Sequence, residues 1–244
     1  MRRAFTLTEL VVVISLIVVM TTLSVPAIQV YLESREKDMA AQTFAGAVTN
    51  AQALAKANFT TTVVRVERAF RTDDAGRMLK DAAGRPFWLN HQQIQILGVG
   101  LRQPQTPISG EERAFRRLVD MAPISLPSTA WLAPDNALEL LTSGGTAWQP
   151  PTAGAVAIDT LDTFYLAFTR QGELTRLPAG RLVYLDETQN NLFVGHPLPS
   201  CSGAIVYNRE RFEKSQRDPR ILRAGVPLYV DRRTGSTIRS ELAR

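Results

Sequence analysis

The sequence predicts an α+β chain, a long N-terminal helix packed on an antiparallel β-sheet domain. Three observations predict it. Residues Leu10 to Leu32 form an apolar run without a single charge. From Glu33 to Ala57 there is no proline, and Ala, Gln, Lys and Glu, all good helix formers, dominate. After Asn58 the texture changes to β-branched and aromatic runs separated by Gly, Pro and Asn turns.

The apolar run comes first. Twenty-three helical residues span about 35 Å, enough to cross a hydrocarbon core of about 30 Å. A short basic leader, Met1-Arg2-Arg3-Ala4, precedes it, and basic residues on that side hold the N-terminus in the cytoplasm. One carboxylate, Glu9, sits at the mouth of the run. A carboxylate at the edge of a membrane segment is costly, which marks it as functional. Pro26 removes one backbone hydrogen bond and predicts a kink or local loosening.

The helix continues beyond the membrane part. Met39, Phe44, Val48, Ala51 and Leu54 recur at three to five residues and mark one apolar face. Glu33, Arg35, Glu36, Lys37 and Asp38 form a charged side. Such a face needs a surface to pack on, so the C-terminal half of the stem is expected inside a globular domain. Without the stem about 190 residues remain, enough for one domain with its own core.

Strands are predicted at Thr60–Val66, Ile94–Val99, Ala155–Ile158, Phe164–Thr169, Arg181–Leu185, Ala204–Tyr207, Leu228–Asp231 and Ser236–Arg239. Gln171-Gly172 joins Phe164–Thr169 to Glu173–Leu177, and Thr234-Gly235 joins Leu228–Arg232 to Ser236–Arg239, as hairpin turns. One short helix is predicted from Glu111 to Met121, with Ser109 as its cap and Glu112 three residues on. Pro104, Pro107, Pro123, Pro127, Pro134, Pro150 and Pro151 make the middle loop-rich.

The first 35 residues resemble the class III signal of type IV prepilins and type II secretion pseudopilins. In that family a membrane prepilin peptidase removes the leader and usually methylates the new N-terminal phenylalanine. The resemblance implies a cut between Ala4 and Phe5, with alanine standing where glycine is usual. It makes Glu9 the fifth mature residue, and implies an assembly role for it through pairing with a neighbouring subunit's N-terminal amine. Pro26 lies where many pilins carry a helix-loosening proline. Phe168-Thr169-Arg170-Gln171-Gly172-Glu173-Leu174 and the closing Leu228–Arg239 strand-turn-strand look like hairpins of the GspH/FimT group of minor pseudopilins. The implied layout is pilin-like: leader 1–4, helical stem 5–58 with its membrane part at about 10–32, and a β-rich periplasmic domain at 59–244. The implied partners are the prepilin peptidase, other pilin or pseudopilin subunits, the inner-membrane assembly platform and the lipid bilayer. A plain anchor or a secretory signal is the competing reading of the same run; the latter would place a cleavage site after the apolar core, near Ala27.

No enzyme constellation is visible. His91 and His196 stand in no metal-ligand spacing, and His196, before Pro197, reads as a solvated loop histidine. Gly98-Val99-Gly100 lacks the third glycine of a nucleotide fingerprint. Asp73–Arg77 and Asp81–Arg85 form an imperfect repeat of turn sequences, short of the alternating acids of a calcium loop. Cys201 is the sole cysteine and reads as a small buried or half-buried residue. No cofactor or metal is implied.

The chain carries a formal charge of +5. From Arg209 onward ten Lys and Arg stand against five Asp and Glu. Arg232, Arg233 and Arg239 on the last hairpin are the candidates for DNA contact, as in FimT-like pilins that bind DNA. The interleaved acids favour a solvated edge over a DNA site. The sequence therefore reads as a non-enzymatic minor pseudopilin or pilin subunit of an envelope filament. A DNA-uptake pilin and a membrane-tethered enzyme or chaperone are the alternatives.

Overall fold

The computed structural model describes residues 7–71, 73, 79–82, 87–99, 115–117, 121–148, 158–180, 183–186, 191–194 and 196–239. It is α+β. Helix α1 (Leu7–Ala57) is one continuous helix with Pro26 inside it. In the turns around that proline the hydroxyls of Thr22 and Ser24 donate back to the carbonyls of Val18 and Met20, at 2.7 Å each. Ser15 and Thr21 do the same to the carbonyls of Val11 and Ile17, so these polar groups satisfy themselves within an apolar helix.

α1 ends in a Schellman-type cap. The amide of Thr60 donates to the carbonyl of Ala55 at 3.2 Å, and Phe59 takes the left-handed conformation at φ +48°. Glycine usually fills that position; a side chain there costs on the order of 1 kcal/mol.

The chain then forms β1 (Thr62–Phe70), β2 (Trp88–Val99), β3 (Phe115–Arg117), β4 (Ile124–Ser125), β5 (Ala130–Pro134), α2 (Ala137–Ser143), β6 (Ala147–Trp148), β7 (Ile158–Asp159), β8 (Phe164–Phe168), β9 (Leu174–Thr175), β10 (Val183–Asp186), β11 (Asn191–Val194), β12 (Gly203–Asn208), α3 (Arg209–Lys214), α4 (Pro219–Arg223), β13 (Val226–Val230) and β14 (Thr237–Arg239). The larger sheet has the order β11-β10-β3-β2-β1-β8-β9, with β4 also on β2. Its pairings are antiparallel except β3 with β10 at Phe115 and Tyr184. A second sheet, β14-β13-β12-β5, is antiparallel throughout.

The C-terminal half of α1 packs across both sheets. Ala40, Phe44, Ala47, Val48, Ala51 and Ala55 meet Val64 and Ile94 of the larger sheet and Leu132, Val206 and Leu228 of the smaller one in one core. Alanine at four of those six positions lets the backbone approach both sheets closely. Of the face read in the sequence, Phe44, Val48 and Ala51 are buried and Leu54 packs against the core; Met39 is half exposed, and Ala40 lies inside. Gln92 on β2, fully buried, links the sheets: its amide donates to the carbonyls of Leu132 and Asp162, and its oxygen accepts from the Leu132 amide. The outer face of the smaller sheet carries its own core of Trp131, Tyr207, Leu161, Leu140, Phe212 and Leu222, roofed by α2, α3 and α4.

The predicted helix at Glu111–Met121 is corrected. Phe115–Arg117 is a strand on the edge of β2, with Phe115 buried against Leu97 and Tyr165. An open sheet edge offered three backbone residues hydrogen bonds and a pocket for Phe115, outweighing local helix propensity. Ser109 and Glu112 lie outside the described residues, as do 155–157 of the predicted Ala155–Ile158 strand and most of the Asp-Gly repeat.

Candidate functional site

The largest unsatisfied feature of the fold is the N-terminal half of α1. Leu10, Val11, Val12, Ile14, Leu16, Ile17, Val18, Val19, Met20, Val25 and Ile28 are all about half exposed in the isolated chain. None of the most apolar window is buried against the domain. This helix is long and apolar enough to cross a membrane. Exposed apolar surface of this extent marks a membrane or protein interaction site. Glu9 lies in the first turn of the helix, the end where the helix dipole favours a carboxylate. Ala4 and Phe5 lie outside the described residues. Pro26 sits inside the exposed half.

Where the apolar run ends, the domain grips the helix. Arg211 of α3 pairs with Glu33 at 2.9 Å. The hydroxyl of Thr129 donates to the Glu36 carboxylate. Arg239 of β14 pairs with Asp38 at 2.7 Å. At 100° per residue, Glu33 and Glu36 lie on one flank of the helix and Asp38 on the other. The charged side therefore contributes three carboxylates that hold the stem from two flanks. Each exposed pair is worth about 0.2–1 kcal/mol, so their effect is on direction more than on stability.

At the far end of the embedded half the two predicted hairpin turns close over Gln52. Its amide donates to the Gly172 carbonyl at 2.8 Å. Gly172 and Gly235 have φ of +77° and +64°, and a Cβ on Gly235 would lie 2.4 Å from the Gln52 side chain. Glycine is required there both by conformation and by space. Leu174 donates to the Arg232 carbonyl at 2.9 Å, tying one hairpin to the other. Asp231 caps the second turn, its carboxylate accepting from the amides of Arg233 and Thr234. Those hydrogen bonds hold its pKa below the usual carboxylate range.

The three arginines proposed for DNA contact are separated in role. Arg232 and Arg233 are exposed in the turn, whereas Arg239 is engaged with Asp38. His196 is corrected from a solvated loop residue. It is 7% exposed, stacked edge-on against Tyr165 with centroids 4.9 Å apart. Burial pushes its pKa down to about 4. Cys201 is buried, and burial raises its thiol pKa well above the ordinary value. Among the described residues no three His, Cys, Asp or Glu side chains group to hold a metal.

No family model matches this chain, and no curated protein or solved structure matches it.

Proposed function

We propose that the chain is a non-enzymatic subunit of an envelope filament, of the minor pseudopilin or minor pilin kind. The observation that carries this reading is the division of one continuous helix. Its second half is part of the core of the domain, and its first half is predominantly apolar and uncovered. A tether needs no rigid connection to the domain it holds. Here helix, core and three carboxylate contacts make the stem and domain one body, which suits a subunit whose position in an assembly is set through its stem.

In this reading prepilin peptidase removes residues 1–4 and leaves Phe5 as the N-terminus. The apolar half holds the subunit in the inner membrane, with the N-terminus cytoplasmic and the domain periplasmic. The assembly platform extracts it, and the bare face packs against the stems of other subunits. The hydrophobic gain on burial, about 25 cal/mol per Å², then comes from neighbouring stems instead of lipid. Glu9 sets register by pairing with the amine of a neighbouring subunit, in surroundings where charges are weakly screened.

Replacing Glu9 tests it. Glu9→Val eases membrane insertion and removes only the partner of the neighbouring amine. The variant is expected to be processed and membrane-inserted yet absent from filaments. Normal incorporation, measured by cross-linking to other subunits, would remove Glu9 from the mechanism.

A further inference from the structure

A cleft of about 420 Å³ opens between Arg68 of β1, Asn90 of β2, the Ser128–Thr129 turn, Trp131 of β5 and α3. Its cations are not equivalent. Arg209 pairs with Asp162 at 2.7 Å and with Glu213 at 2.8 Å. Lys214 pairs with Glu210 at 2.5 Å. Arg68 pairs with no carboxylate among the described residues. Its Nε donates to the Leu89 carbonyl at 3.1 Å. Its guanidinium carbon lies 5.7 Å from the Trp88 ring centroid and 5.9 Å from that of Trp131. Arg209 stacks on Trp131 as well, at 4.5 Å.

This arrangement presets a binding group. The two indoles and the Leu89 bond hold the guanidinium at the wall of the cleft, with Nε engaged by the Leu89 carbonyl. Burying a guanidinium costs solvation: burial lowers the pKa of Arg68 against the pull of Asp162, Arg209 lowers it further, and Glu213 and Asp159 raise it. Asp162 is held by Arg209, with burial raising its pKa against that pull.

We propose that this cleft is a carboxylate-binding site, in which Arg68 takes the ligand's two oxygens through its planar fork. The fork geometry matches a carboxylate bidentately. The charge count argues for a single negative charge: Glu210 and Glu213 line the same cleft and repel a dianion such as phosphate. The volume lies within the 300–1,000 Å³ common for small-ligand sites. An acidic side chain of a partner polypeptide and a free small carboxylate share this chemistry.

The test uses the full chain in detergent micelles carrying Trp148→Phe. The chain has three tryptophans, so the remaining two both stack on Arg68 and report on it. Fluorescence is titrated with a blocked glutamate tripeptide, its glutamine counterpart, propionate and inorganic phosphate. The expected result is a saturable change with the glutamate peptide or propionate, and none with the glutamine peptide. The tighter of the two identifies the source. Arg68→Gln should weaken binding at least tenfold, and Arg68→Lys should weaken it as well, because an ammonium lacks the fork. No saturable change with either carboxylate up to about 20 mM overturns the proposal. So does an unchanged response in Arg68→Gln, or phosphate binding more tightly than both. Should Arg68→Gln lose its near-UV circular dichroism, the glutamate-against-glutamine comparison still decides.

Discussion

Gln92→Leu separates the two sheets chemically while keeping side-chain size. Gln92 has no exposed surface, and its amide makes three hydrogen bonds: 2.9 Å to the Leu132 carbonyl, 3.0 Å to the Asp162 carbonyl and 2.6 Å from the Leu132 amide. β5 is an edge strand whose other side pairs with β12, so nothing else replaces Gln92 on this side. Each bond is worth about 1 kcal/mol net, and a stranded buried amide costs a further 1–3 kcal/mol. The expected loss is about 4–6 kcal/mol. For a domain of this size that corresponds to a fall in Tm of roughly 10–20 °C. Thermal and denaturant unfolding of the full chain in mild detergent, followed by near-UV circular dichroism, measures it. A loss below about 1 kcal/mol would refute the claim that Gln92 couples the sheets over which α1 is laid.

Two further perturbations probe the same body. His196 is neutral when folded, with its pKa lowered to about 4 from an ordinary 6.5. Below pH 6.5 the unfolded chain binds the extra proton, so stability is full above that value and falls as pH drops towards 4, by on the order of 2 kcal/mol between pH 7 and 5; His196→Gln should flatten that part of the unfolding-against-pH curve, and an unchanged slope would show that His196 is accessible to protons. Gly235→Ala forces a Cβ against Gln52 at φ +64°, so it should lower stability by about 1–2 kcal/mol, whereas an alanine at Gly145, which has an ordinary backbone and only a 3.4 Å neighbour, should change it by less than about 0.5 kcal/mol.

What the sequence made legible was whatever depends on local pattern. The apolar run and its proline-free continuation locate α1, and the Gln171-Gly172 and Thr234-Gly235 turns locate two hairpins that the structure contains. Short elements were hidden. β5 runs into Pro134 among other prolines and reads as loop, yet it is buried along its whole length and pairs with β12. α3 and α4 are too short to show periodicity, although Asn208 and Asp218-Pro219 were visible cap signals. Phe115–Arg117 took the strand form because a distant edge was available. The grip on the stem and the cleft were not legible. Arg211 meets Glu33, and Arg68 shares Trp131 with Arg209, only after folding joins segments far apart in the chain. Periodicity placed Met39 inside because it assigns a face by hydrophobicity, whereas close packing on two sheets selected the alanines.

The most direct test of the central claim is the mass of the mature N-terminus, measured on chain taken from native membranes. The account predicts a membrane-bound protein beginning at Phe5, with the leader Met1–Ala4 removed, and a retained leader when Ala4 is replaced by a bulky charged residue. A protein beginning near Ala27 and free of the membrane would mean that the apolar half of α1 is a secretory signal, and would contradict the filament-subunit reading.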